Sequence, residues 1–171
     1  MMEERNIPVF FRNKATSYLI VVALGIFAGL LVAFFSLFPS DTLWAFAFFS
    51  STTFGFWAFT TSLIVLFSEK RLCATINAAL YVYFLFFVTG ITKSFRGYFE
   101  GWIGLDPAAK IVSDNIINWL FYGLDSAIFC GILAFLLWHA RKKTWYGKVL
   151  LSLPLSFIII EAIILYIIVF T

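Results

Sequence analysis

The sequence predicts an all-α fold, a polytopic transmembrane helix bundle of about five spans, and two observations carry that expectation. Of the 171 residues, 63% are hydrophobic and 12% charged, whereas a soluble domain is about half apolar and a quarter charged. The apolar residues also fall into runs close to the ~20 residues a helix needs to cross hydrocarbon, with short polar connections between them. No proline-, serine- and glycine-rich linker divides the chain, so residues 1–171 are expected to form a single domain.

The first run, residues 17–37, is longer than a signal-peptide core and has no small-x-small cleavage site, so it is expected to stay attached as a span. It carries Gly25-x-x-x-Gly29 followed by Ala33, a stripe of small residues that lets another helix approach closely in lipid. The first expected occupant of that stripe is a helix of the same chain; the runner-up is a second protein subunit, with a homodimer as a further alternative.

After Pro39-Ser40-Asp41, the second run covers residues 43–67 and mixes hydroxyl side chains with phenylalanines. Most of those hydroxyls are expected to bond carbonyls of their own helix. Trp57, beside Thr53 and Thr60, is one candidate wall for a small-molecule pocket.

The third run, residues 72–92, follows Ser68-Glu69-Lys70-Arg71, and Asn77 shares a face there with Tyr81. Buried asparagine in a span most often hydrogen-bonds between helices, so Asn77 is read as a packing residue.

Residues 93–115 then form the one long connection, with Phe95, Tyr98, Phe99, Trp102 and Ile103 interspersed among Lys93, Arg96, Glu100 and Asp106. That pattern suits an external amphipathic helix in the headgroup layer. A loop anchored by interfacial aromatics accounts for it equally well. Pro107 is placed to open the next helix at its first turn. The fourth and fifth runs, residues 116–138 and 149–169, are joined by the basic segment from Arg141 to Lys148.

Basic residues set orientation, because lysine and arginine in short loops are retained in the cytoplasm. Arg5, Arg12, Lys14, Lys70, Arg71, Arg141, Lys142, Lys143 and Lys148 fall on one side of the predicted spans, and Lys93, Arg96 and Lys110 on the other. The expectation is N-terminus in and C-terminus out, in a multi-pass protein of the cell membrane. The formal charge of +3 reflects this topology and gives no reason to expect a nucleic-acid partner.

Acids inside spans carry the sharpest chemical signal, since a charge at the bilayer centre is expensive unless paired, neutralised or hydrated. Asp125 and Glu161 are two such residues. Counted at 1.5 Å per residue from the basic connection, both lie at a depth of about 20 Å. If the fourth and fifth helices pack as antiparallel neighbours, the two carboxyls can meet. One would then keep a proton for the other, or a cation would sit between them. Asp114, Asn118, Tyr122 and Asp125 recur every three or four residues and draw a polar stripe toward the acid level. These five residues form the candidate site for a proton or a small cationic ligand. The alternative is that they only hydrogen-bond helices together.

Signals for other chemistry are weak. His139 is the only histidine and lies at a basic membrane edge, so it cannot build a metal cage. Cys73 and Cys130 are placed at different depths, and no disulfide is expected. No phosphate loop, nucleophile elbow or zinc-protease motif is present, so neither catalysis nor a cofactor is expected.

The stretch Gly55-Phe56-Trp57-Ala58-Phe59-Thr60-Thr61, then Ser68, then Ala74-Thr75-Ile76-Asn77-Ala78-Ala79-Leu80-Tyr81, resembles a pattern in uncharacterised small multi-pass membrane proteins of Gram-positive bacteria. The resemblance covers the second and third spans. It implies a bacterial cell membrane and brings no activity or site residues with it.

Two functions are compatible with these residues. One is a binding or transport component built on the acidic pair. The other is a non-transporting membrane partner, such as an assembly, regulatory or immunity factor, that acts through helix–helix contacts, with the Gly25/Gly29 face as its docking stripe.

Overall fold

A computed structural model describes residues 8–36, 54–102 and 112–170. It contains α1 (Ala15–Phe35), α2 (Phe54–Leu66), α3 (Arg71–Trp102), α4 (Val112–Leu137), a 3-10 turn (Trp138–Arg141) and α5 (Trp145–Phe170). Phe11 and Ser68 form an isolated strand-like bridge. Many of these residues are β-branched or aromatic and favour helices only weakly in water. In hydrocarbon no solvent satisfies backbone groups, so the helix, which closes every internal hydrogen bond on itself, prevails. Four of the helices are long and apolar enough to cross a membrane: Ala15–Phe35, Arg71–Phe95, Ile116–Arg141 and Trp145–Ile164. The chain is built as a multi-pass membrane protein.

α3 is the central post, with α1, α2 and α4 packed around it, while α5 takes its main helix contacts from α2. Val21, Ala28, Ile64, Tyr81, Val82 and Leu85 make one buried cluster along this post, and Val65, Ala74, Ala78 and Ala134 make a second near the end where α2 meets α3. Close approach depends on small residues. A Cβ on Gly25 would stand 2.7 Å from the Tyr81 carbonyl oxygen, and one on Gly29 would stand 2.7 Å from that of Leu85. Ala33 and Asn77 are also buried. The Gly25/Gly29 stripe is therefore filled by α3 of the same chain. That is a correction to its alternative use as a dock for a second protein, because the backbone already in the groove leaves no room for one.

One element differs from expectation. α3 continues unbroken to Trp102, so residues 93–102 extend a spanning helix rather than start a separate one in the headgroup layer. At 1.5 Å per residue its 32 residues reach about 48 Å, well beyond the ~30 Å hydrocarbon core. The physical reason is that no proline interrupts the helical period before Pro107, which itself lies outside the described residues. The first part of the expected second span, residues 43–53, also lies outside them.

The N-terminal segment ties down one end of the bundle. Phe10 and Phe11 donate their backbone N–H groups to the Phe67 carbonyl at 3.0 and 3.1 Å, and Glu69 N–H donates to Phe11 O at 2.8 Å. Asn13 N–H reaches Glu69 Oε2 at 3.1 Å. Arg12, Lys14, Lys70, Arg71 and Arg141 are thereby gathered at one end of the molecule.

Candidate functional site

α4 presents two faces. Its small residues turn inward: Gly123 stands against Tyr83 and Phe86, and Gly131 against Thr75 and Ala79. Trp119 packs directly onto Gly90 of α3, where no Cβ would fit. The opposite face is open. Asn118 and Asp125 are exposed, and Tyr122 is 63% exposed, with its ring edge-on to Trp119 at 6.3 Å. The structure thus brings three of the five candidate residues onto one face, as their spacing dictates. That face is turned away from the bundle, and Asp125 has no hydrogen bond or ion pair within the described residues.

Depth sharpens the point. Asp125 lies about 14 Å along the helix axis from Ile116, where the span begins, and so near the middle of hydrocarbon. Of the α4 span only 22% is buried, against 44% for that of α3.

Glu161 lies on α5, partly buried. The helix pairing that would have brought it to Asp125 is not the one adopted: α5 leans on α2 and on the turn before it, although a short connection joins it to α4. That connection is tight. A Cβ on Gly147 would collide with the Lys142 carbonyl oxygen, so the chain reverses there only with glycine. α1, α2 and α4 already surround the central post, and α5 is left on the outside with 12% of its span buried. Asp114 belongs to the first turn of α4.

The candidate pocket wall at Trp57 is packed. Its ring meets Phe86 edge-on at 4.2 Å. Thr60 Oγ1 donates to the Phe56 carbonyl at 2.8 Å and accepts a bond from Tyr81 Oη at 3.0 Å. Thr53 lies outside the described residues.

The basic end holds a polar knot that the spacing of residues did not reveal. Ser68 is at its centre, with Asn77 Nδ2 donating to Ser68 Oγ at 3.1 Å and to Cys73 Sγ at 3.3 Å. Arg141, 6% exposed, donates through Nη1 to the Ser68 carbonyl. Arg71 Nε reaches the Phe135 carbonyl at 3.4 Å, with its guanidinium 3.5 Å from the Phe135 ring centroid. Arg71 therefore meets a carbonyl in the last turn of α4, where unpaired oxygens and the helix dipole favour a cation, and Arg141 meets one just beyond the end of α2. In the sequence these arginines read as topology signals alone; Arg141, three residues after Trp138 at the close of an apolar run, was the available hint. His139 sits in the same turn, its Nδ1 3.2 Å from the Leu136 carbonyl oxygen, a helix-end position. Cys73 and Cys130 are free thiols.

Comparison of the chain with protein-family models, with curated proteins and with solved structures finds no match.

Proposed function

We propose that this protein is a non-transporting membrane partner, a helical module that works by associating with another membrane helix through the outward face of α4. The observation that carries the reading is Asp125, exposed near the middle of a span and without a partner among the described residues. A carboxylate facing lipid at that depth costs at least about 2.5 kcal/mol, and burial against a hydrogen-bonding protein surface removes the cost. Asn118 and Tyr122 on the same face extend the polar contact along the helix. The closed α1–α3 seam and the polar knot at the basic end make the rest of the molecule a stable platform for that face. The excess of positive charge supports a cytoplasmic location for the basic end and the N-terminus, in a cell membrane.

The test is photocrosslinking in native membranes, with a benzoylphenylalanine placed at Tyr122 or Phe129 and, for comparison, at Phe27 on the exposed side of α1. Protein adducts at the α4 positions and lipid adducts at Phe27 support the reading. Lipid adducts alone at all three positions overturn it.

A further inference from the structure

The exposed face of α4 has a period that extends the candidate site beyond its polar residues. Asn118, Tyr122 and Asp125 are followed by Phe129, Ile132 and Leu136, giving steps of about four, three, four, three and four along the helix. All six are exposed, Phe129 at 58%, Ile132 at 59% and Leu136 at 53%. Alternating steps of three and four follow a 3.5-residue repeat, the signature of a left-handed seam between two helices that cross at a shallow angle. The seam spans the membrane and is unoccupied by any helix among the described residues.

Its chemistry selects the occupant. We infer that a second copy of this chain covers the seam, related by a two-fold axis along the membrane normal and pairing the Asp125 carboxyls across it. The inference rests on the partner reading above and names the partner. Under such an axis both copies keep the same orientation in the membrane, so each residue on the seam meets its own counterpart at its own depth. A seam of this kind closes only if each polar group can bond to itself. An asparagine amide both donates and accepts, a tyrosine hydroxyl does the same, and a carboxylic acid donates to a carboxylate. Asn118, Tyr122 and Asp125 each meet that condition. A different partner would have to bring a matching donor to the middle of the bilayer, whereas a second copy supplies it at every step.

Close approach also settles the protonation of the acids. Two carboxyls facing each other in low dielectric do not both ionise, so one Asp125 keeps its proton and donates it to the other. The acidic pair expected within one chain is then formed between two, and Glu161 has no part in it. The remaining seam positions, Phe129, Ile132 and Leu136, supply the apolar half toward the basic end.

The experiment uses the full chain with Cys73→Ser and Cys130→Ala, reconstituted in lipid vesicles. Single cysteines are introduced at Asn118, Asp125, Ile132 and Leu136 on the seam and at Ile117 and Leu124 off it; these last two are 52% and 48% exposed on the same helix. Oxidative crosslinking is expected to give disulfide dimers at the seam positions and to fall to background at Ile117 and Leu124. In detergent the unsubstituted protein is expected at twice the monomer mass. Asp125→Asn keeps a self-pairing amide and the dimer, while Asp125→Arg sets like charges across the axis and yields a monomer with an unchanged circular dichroism spectrum. The cysteine scan at Ile132 and Leu136 leaves Asp125 intact, so it decides the question even if Asp125→Arg does not fold. Crosslinks phased on Ile117 and Leu124, or on no position, overturn the inference. Photoadducts to a different protein at Tyr122 without self-crosslinking overturn the second copy and leave the partner reading standing. Lipid adducts alone overturn both.

Discussion

Gly29→Ala tests the packing logic of the bundle most directly. The added methyl would lie 2.7 Å from the Leu85 carbonyl oxygen and 2.9 Å from Val88 Cβ, and ordinary contact begins near 3.4 Å. The first obstacle is backbone of the central helix, which cannot rotate aside, so α1 must retreat by about 0.7 Å. A gap of that size forfeits between a quarter and a half of the dispersion energy of each contact along the seam. It also stretches the bond from Thr89 Oγ1 to the Gly29 carbonyl, now 3.1 Å, toward the limit of a useful hydrogen bond. Overpacking of this kind costs about 1–3 kcal/mol, and an interhelical bond in a membrane adds roughly 0.6. A loss of about 2–3 kcal/mol is expected.

Gly25→Ala meets the Tyr81 carbonyl oxygen at the same 2.7 Å. One retreat of α1 relieves both clashes, so the double variant should cost little more than either single one. The assay is unfolding in mixed micelles of dodecyl maltoside and SDS, followed by far-UV circular dichroism, with Leu30→Ala on the exposed side of α1 as the control. That control should stay within about 0.5 kcal/mol of the parent. The reasoning is refuted if Gly29→Ala costs no more than Leu30→Ala, or if the two glycine substitutions add in full.

Four further outcomes follow from other contacts. Gly90→Ala drives a methyl into the Trp119 ring and its Cβ, so the added cost should shrink in a Trp119→Gly background, which removes both obstacles, and should persist in a Trp119→Ala background, which keeps the Cβ, as read by the same unfolding curves. Arg141→Ala removes a charged donor from the Ser68 carbonyl and should destabilise by about 2 kcal/mol, with Arg141→Lys failing to restore it because an ammonium lacks the planar fork; thermal unfolding in detergent checks this. Asn77→Ala opens the knot around Ser68 and Cys73, so the Cys73 thiol should react faster with a maleimide than in the parent, and an unchanged labelling rate would count against the knot. Tyr81→Phe loses one bond to Thr60 Oγ1 and should cost no more than about 1 kcal/mol, because the ring stays in place and a hydroxyl bond in a membrane is worth about 0.6.

Part of the candidate site was legible because helical spacing is local. Asn118, Tyr122 and Asp125 had to share a face once α4 formed, and they do. The pairing of Asp125 with Glu161 depended on which helices become neighbours, and a short connection was an insufficient guide to that. The Ser68–Asn77–Arg141 knot joins residues separated by as many as 73 positions in the chain, and no periodicity links them.

The sequence by itself determined that this is a helical membrane protein, roughly where four of its spans lie, and which residues share each helix face. Hydrocarbon imposes those features through hydropathy, length and backbone hydrogen bonding, all properties of a segment alone. Only the tertiary structure decided that Gly25 and Gly29 are filled by α3, that α5 leans on α2, and that Asp125 looks outward. Lipid is as apolar as the side chains, so hydrophobicity does not choose among helix neighbours. The choice falls to the fit of one surface against another, which is set by atoms distant in the chain.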